Sequence, residues 1–122
     1  MKMRLIETNA KLTKKEILIL TQAESVRLDD VITPEKPIVL SPVEYYVFEI
    51  EADGGEAYTK YFVRNDDGTL YSTSGKVFGE TVANYFATLT EDDETEPFKI
   101  EVSKAPSANY RGKFYIKVRL VG

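Results

Sequence analysis

The chain has 122 residues, of which 43% are apolar and 30% charged, and it contains no cysteine, histidine or tryptophan. This length predicts one domain around one core, and the missing residues exclude disulfides, Cys/His zinc sites and nucleophiles activated by histidine. The net charge is −4, but residues 1–15 carry +4, residues 104–122 carry +5 and residues 16–103 carry −13. A basic face can still hold a polyanion, because exposed charges are screened beyond about 8 Å at physiological salt.

The hydropathy pattern contains neither a membrane span nor the apolar stretch of a signal peptide. No run approaches the ~18 apolar residues that a spanning helix needs, and charges are spread over Met1–Lys15. We therefore expect a soluble, cytoplasmic protein without membrane contact.

The first third of the chain gives the weakest pattern, and we treat residues 1–34 as an N-terminal extension. Met1–Thr8 is compatible with a strand. Thr13 and Glu16 have the spacing of a capping box before an apolar run, which predicts a short helix over about Lys14–Ala23. Two prolines make Thr33–Pro37 a break before the next element.

From residue 38 onward the pattern is β, interrupted by one helix. Pro42 predicts an edge position or a bulge within the first strand. Ser74 is a candidate cap for the helix, whose apolar residues recur every three or four positions. The predicted elements are strands Ile38–Glu51, Ala57–Arg64 and Thr69–Thr73, the helix Lys76–Leu89, and strands Phe98–Lys104 and Lys113–Val121.

Three strands in a meander, a helix and two more strands form the order of an OB-fold, a partly open five-stranded barrel. The helix then lies between the third and fourth strands. We therefore expect a mainly β chain that forms a single domain over residues 1–122, with the OB-like barrel in residues 35–122. A ferredoxin-like or other α+β sheet is the main alternative.

Side chains alternate between the two faces of a strand, so the core residues of a strand also define its outer face. In the last strand the expected core set is Phe114, Ile116, Val118 and Leu120. The outer sets of the second and last strands, and the loop 105–112 with its flanks, combine aromatic residues with cations. Single-strand binders use aromatic faces to stack bases and cations to follow phosphates. The candidate nucleic-acid-binding residues are Tyr58, Lys60, Phe62, Arg64, Lys104, Tyr110, Arg111, Lys113, Tyr115, Lys117 and Arg119.

Exposed tyrosine beside lysine is also ordinary strand composition, and Phe62 can equally be a core residue with Tyr61 outside. The acidic run Glu91–Glu96 lacks the ordered spacing of a calcium loop, which favours a solvated or partner-facing loop. Gly54 and Gly55 form a hairpin turn. We therefore predict no catalytic residue, no metal site and no cofactor, and a protein that is not an enzyme.

Three segments resemble the small single-stranded DNA-binding proteins encoded by phages of Gram-positive bacteria. They are Leu12–Gln22, Arg64–Phe78 and Ser103–Val121, within about two-thirds of the chain. The resemblance implies an OB-fold that coats single-stranded DNA in phage replication or recombination in the host cytoplasm. It also implies a homo-oligomer, with a dimer favoured, and contacts to phage or host replication proteins.

The residues to which the resemblance assigns binding are Lys104, Tyr110, Arg111 and Tyr115. Many single-strand binders end in an acidic tail that recruits partners, whereas this sequence ends on Leu120-Val121-Gly122. Two alternative functions stay open. One is a phage protein-interaction module that inhibits a host enzyme or mimics DNA through the acidic middle. The other is a small virion component.

Overall fold

The computed structural model describes residues 2–122, which form mainly β structure with three helices. The helices are α1 (Lys14–Gln22), α2 (Leu28–Val31) and α3 (Lys76–Leu89). The strands are β1 (Lys2–Thr8), β2 (Val26–Arg27), β3 (Ile38–Leu40), β4 (Pro42–Glu51), β5 (Ala57–Asn65), β6 (Leu70–Thr73), β7 (Thr90–Glu91), β8 (Glu94–Thr95), β9 (Ile100–Pro106) and β10 (Phe114–Leu120). Within residues 2–122, none of the sheets closes into a barrel, and no helix has the length and apolar character to cross a membrane.

The larger sheet has the strand order β1-β4-β5-β6-β2, and only the pair of β2 with β6 is parallel. The predicted meander β4–β5–β6 is confirmed, because two short turns join its strands. Gly55 (φ 86°) and Gly68 (φ 89°) adopt left-handed conformations that side chains disfavour, and they fix these turns.

Pro42 marks the point where the chain passes from one sheet to the other. The register of β4 against β5 shifts between Pro42 and Glu44, so the predicted irregularity is confirmed. The preceding strand, β3, pairs instead with β9 in a smaller sheet of order β10-β9-β3. The single strand expected over Ile38–Glu51 is therefore two strands, one in each sheet.

The main core lies between the inner face of the large sheet, helix α3 and the small sheet. Phe86 of α3 lies at its centre, with its ring centroid 5.2 Å from that of Tyr45 and 5.0 Å from that of Phe98. Burying each such ring contributes roughly 1.5–3 kcal/mol. Gly79 lets α3 approach β5 closely, since a Cβ atom there would overlap the ring of Tyr61.

A second core lies on the outer face of the large sheet, beneath α1. Leu20 of this helix is buried among Tyr46, Phe48 and Phe62. The predicted capping box is confirmed: the Thr13 hydroxyl accepts from the Glu16 amide, and the Thr13 amide donates to the Glu16 carboxylate, both at 3.1 Å. Both faces of the large sheet are thus covered, the outer one only in part.

The N-terminal segment contributes more to the sheet and core than an extension would. Strand β1 pairs along β4, and Leu28 and Ile32 are almost completely buried in the main core. The short β2 and α2 were absent from the sequence prediction. They bring residues 26–31 against β6, where they help to form the site described below.

Four other details differ from the sequence prediction. The N-cap of α3 is Gly75, and it makes no side-chain cap, so Ser74 does not cap the helix. Strand β9 begins at Ile100 instead of Phe98. The acidic run forms the hairpin β7–β8, whose turn residues, Asp92 and Asp93, have φ values of 52° and 65°.

The last difference concerns the core face of β10. Ile116 is buried and Val118 is packed against the core, as expected. Phe114 and Leu120 are 52% and 47% exposed, because β10 extends past the core at both ends.

Candidate nucleic-acid interface

The four candidate residues of β5 lie on the outer face of the large sheet, but they have different surroundings. Tyr58 is 47% exposed and Lys60 is half-buried, whereas Phe62 is only 6% exposed. Phe62 packs edge-to-face on Phe48, with the ring centroids 5.6 Å apart. It is therefore a core residue, and the Lys60 ammonium lies 5.4 Å from its ring centroid, so little of the ring is open to a base.

Arg64 is engaged in a polar cluster at the rim of α1. Its Nε donates to the Tyr46 hydroxyl at 3.1 Å, and this hydroxyl in turn donates to the Glu44 carboxylate. Burial, and then the bond to Glu44, raise the pKa of Tyr46 to about 12. The cluster lines a cleft against Leu20 of α1. Arg64 thus supports the packing of the helix, and it lies apart from Tyr58 and Lys60.

Beyond the edge of α1, the outer face is open and forms a groove of about 290 Å³. Tyr58 and Lys60 of β5 form one wall. The opposite wall comes from the N-terminal segment, which brings Arg27 and Asp29 alongside β6. The floor is rich in hydroxyl groups and comprises Ser72, Thr73 and Ser74.

A second groove of about 310 Å³ adjoins the first, and the two share Asp29, Thr73 and Ser74. It runs past the N-terminus of α3 to β10, where Phe114 and Tyr115 line it. We call the combined feature the β5–β10 groove. Three cations and one carboxylate line it: Arg27, Lys60, Lys76 and Asp29. A chain carrying negative charges and flat rings would meet cations and aromatic rings in both parts of the groove.

The N-terminus of α3 is part of the wall of this groove. Residues 75–78 line it, and the helix has no side-chain cap. The first-turn amides of a helix carry partial positive charge, which adds to the charge of Lys76. The Thr73 hydroxyl accepts a bond from the Gly75 amide at 3.0 Å and holds the entry to the helix in place.

Lys104 lies on the inner face of β9, opposite Ile116, and not on the face that carries Lys117. Its Nζ donates to the backbone carbonyl of Asp29 at 3.0 Å and lies 3.7 Å from the Asp29 carboxylate. Its side chain is mostly buried. Lys104 therefore holds Asp29, and with it this wall of the groove, from the inner face of β9.

The loop between β9 and β10 carries three candidate residues, Tyr110, Arg111 and Lys113, and all three are exposed. Tyr110 is 65% exposed. Two backbone bonds, from the Ser107 amide to Lys113 and from the Lys113 amide to Tyr110, hold the loop compact. The loop emerges next to Phe114, so it extends from the β10 end of the groove.

Two candidate residues lie on the other face of β10, away from the groove. Lys117 is opposite Ser103, and Arg119 donates to the Glu101 carboxylate at 3.0 Å. Tyr115 is 48% exposed and lies at the boundary, because it also lines the groove. The structure thus brings Tyr58, Lys60 and Tyr115 together at one groove and leaves Lys117 and Arg119 outside it.

Three groove residues were missed by the sequence analysis. Arg27 reaches the site through a two-residue parallel strand that has no sequence signal. Lys76 was recognised only as the start of a helix, because nothing in its local sequence places it beside Arg27 and Asp29. Phe114 was assigned to the core from its alternation, which cannot reveal where the core ends.

Within residues 2–122, no group of three or more acidic side chains is placed to hold a metal ion. No protein-family model matches the chain. No curated protein and no solved structure matches it either.

Proposed function

We propose that this protein is a non-catalytic, sequence-tolerant single-stranded DNA-binding protein of the kind that phages use in replication or recombination. The observation that carries the proposal is the β5–β10 groove, two adjoining depressions that are each lined by at least one exposed ring and at least one cation. Stacking on an aromatic ring contributes about 1–3 kcal/mol per base, and it is indifferent to sequence because every base has a π-face.

The strand pairings support an open OB-like barrel as the scaffold. Strand β4 continues from β3, so the neighbours form one row, β6-β5-β4/β3-β9-β10. Pairing of β6 with β10 would close this row, and the groove lies between these two strands. OB-folds bind oligonucleotides on the face of the second and third strands and at the loop before the fifth. Those elements correspond to β5, β6 and the Tyr110 loop.

The charge distribution supports binding despite the net charge of −4. The groove is lined by one carboxylate, Asp29, and by cations from three separate elements, Arg27, Lys60 and Lys76. The Lys76 ammonium also lies 3.8 Å from the carboxylate of Glu80, which does not line the groove. Asp29 is within 3.7 Å of the Lys104 ammonium, which offsets its charge. The groove is therefore locally basic on an acidic protein.

The test is fluorescence anisotropy with labelled oligo-dT, using the full chain and four variants. We expect Tyr58→Ala and Tyr115→Ala each to weaken binding by about 5- to 150-fold, the equivalent of one lost stacking contact. Lys60→Gln is expected to weaken binding, whereas Lys117→Gln removes an exposed cation of β10 that does not line the groove. It is the matched control and should bind like the parent. Oligo-rU is the parallel probe for RNA.

Absence of oligo-dT binding at low salt would overturn the proposal, as would equal losses for Lys60→Gln and Lys117→Gln. A protein-interaction function through the acidic surface would then become the better explanation. Cleavage of the oligonucleotide by the pure protein in Mg²⁺ would contradict the non-catalytic part of the proposal.

A further inference from the structure

Strand β1 forms one edge of the large sheet and pairs with β4 on one side only. It is seven residues long, which makes it the longest strand at an edge of this sheet, since β2 has two residues. The unpaired backbone groups of an exposed edge strand are a template for another strand.

A bulge in β1 determines which side chains share a face. Leu5 is opposite Phe48 and Glu7 is opposite Val47, so Ile6 is an extra residue in this strand. In a regular strand, residues three apart lie on opposite faces. The bulge instead places Arg4 and Glu7 on the same face, the one covered by α3.

An acidic cleft of about 410 Å³ adjoins this edge on the α3 side. Ile6 and Glu7 of β1 line it together with Tyr61, Gly79, Glu80 and Ala83. Its lining includes two carboxylates and no cation; the Glu80 carboxylate lies 3.8 Å from the Lys76 ammonium, and the Glu7 carboxylate accepts from the Tyr45 hydroxyl at 3.0 Å. Burial, and then the charges of Glu80 and Glu7, raise the pKa of Tyr61, in agreement with an acidic environment. The cleft therefore suits a cationic side chain carried on a strand beside β1.

We propose that β1 is a homodimer interface, in which it pairs antiparallel with β1 of a second copy across a two-fold axis. In the register that places Arg4 opposite Glu7 of the second copy, Met3 is opposite its Thr8. Each pair shares a sheet face, because Arg4 and Glu7 both lie on the α3 face and Met3 and Thr8 both lie on the α1 face. The two-fold axis then passes between Leu5 and Ile6, where the β1 bulges of the two copies face each other.

Charge complementarity argues for a second copy of this chain as the occupant. Arg4 and Glu7 form two symmetric ion pairs in this register. Arg4 already contacts Glu49 at 3.1 Å, but its guanidinium has five N–H donors and reaches more than one carboxylate. Strand β10 gives a contrast: its charged residues, Lys117 and Arg119, are both cations and would repel in a self-pairing.

The experiment is sedimentation equilibrium of the full chain at tens of micromolar without DNA, which makes its outcome independent of DNA binding. We expect the wild-type chain to sediment as a dimer. Arg4→Glu should weaken the dimer at least about tenfold, because it places two like charges opposite each other across the axis. Glu7→Arg should do the same from the other side. The double variant Arg4→Glu/Glu7→Arg should restore the dimer, since it only exchanges the partners of each pair.

Arg119→Glu is the matched control. It removes an exposed ion pair of the same type and length, Arg119–Glu101 at 3.0 Å, from a different edge strand. We expect it to remain dimeric. A monomeric wild-type chain, a dimer that resists Arg4→Glu, or a double variant as monomeric as the single variants would each overturn the proposal.

Discussion

The two halves of β5 carry the same alternation of aromatic and cationic side chains, yet they lie in different environments. In the first half, Tyr58 and Lys60 line an open groove. In the second half, Phe62 is buried in the core beneath α1, and Arg64 is bonded to Tyr46 at the rim of that helix. The strand is continuous, so the difference comes entirely from the element packed on it.

This comparison shows what an aromatic–cationic pattern means on its own. The pattern states which face a side chain occupies, because alternation is local. It does not indicate whether another element packs on that face. In this protein the packing element is α1, which lies more than 30 residues earlier in the chain. Only the uncovered half can stack bases, so the two halves should respond differently to the same kinds of substitution.

The largest expected difference is in stability. Phe62→Ala should lower the free energy of unfolding by about 3–5 kcal/mol, because it removes a buried ring beneath α1. Tyr58→Ala should lower it by less than about 1 kcal/mol, because nearly half of Tyr58 is exposed. Urea unfolding of both variants measures the difference. Similar losses would mean that Tyr58 also belongs to the core.

A smaller effect is expected from the polar cluster of the covered half. Tyr46→Phe should cost about 1–3 kcal/mol at neutral pH, because Arg64 and Glu44 lose the hydroxyl that links them. Urea unfolding at neutral pH measures this loss.

The same variant should change the response to alkali. The pKa of Tyr46 is raised from 10.0 to about 12, so the folded state favours the neutral phenol. Its contribution to stability is complete below pH 10 and is lost as the pH rises toward 12. Tyr46→Phe should flatten this alkaline decline in part. Tyr45, whose pKa is raised to about 12 by burial and Glu7, contributes to the remainder, as does Tyr61, whose pKa is raised by burial and by Glu80. An unchanged pH profile would contradict the role of Tyr46.

The smallest expected effect separates the two cations of β5. If Lys60 contacts one phosphate, Lys60→Gln should reduce the slope of log affinity against log salt by ~0.7. Arg64→Gln should leave the slope unchanged, because its guanidinium is bonded to Tyr46 in the covered half. Anisotropy titrations over a range of salt concentrations measure both slopes. Equal changes of the two slopes would mean that Lys60 and Arg64 both contact phosphates of the bound strand. The two halves of β5 would then not differ in DNA binding.

Several elements were predictable because their signals are local. The capping box at Thr13 and Glu16 involves residues three apart, and the turns at Gly55 and Gly68 depend on single glycines. The helix Lys76–Leu89 has the bounds expected from its period of apolar residues. The meander follows from these turns, since short connections pair neighbouring strands.

The remaining features depend on contacts that the sequence does not encode locally. Strand β2 has two residues, and its partner β6 lies 45 positions later, so no periodic pattern could reveal it. The groove combines side chains from four separate segments of the chain, and Lys104 points to its wall from the inner face of β9. The residue types of the candidate site were therefore predictable in part, but their grouping was not.

The parallel pairing of β2 with β6 has a consequence for the order of folding. The hairpins β4–β5 and β5–β6 close over short turns, whereas β2 must close a loop of 45 residues for only two paired positions. Loop closure costs more entropy as the loop lengthens, so the wall that carries Arg27 forms after the meander. The groove is then among the last features to appear in refolding. Recovery of oligonucleotide binding should accordingly lag behind recovery of β structure in a stopped-flow experiment.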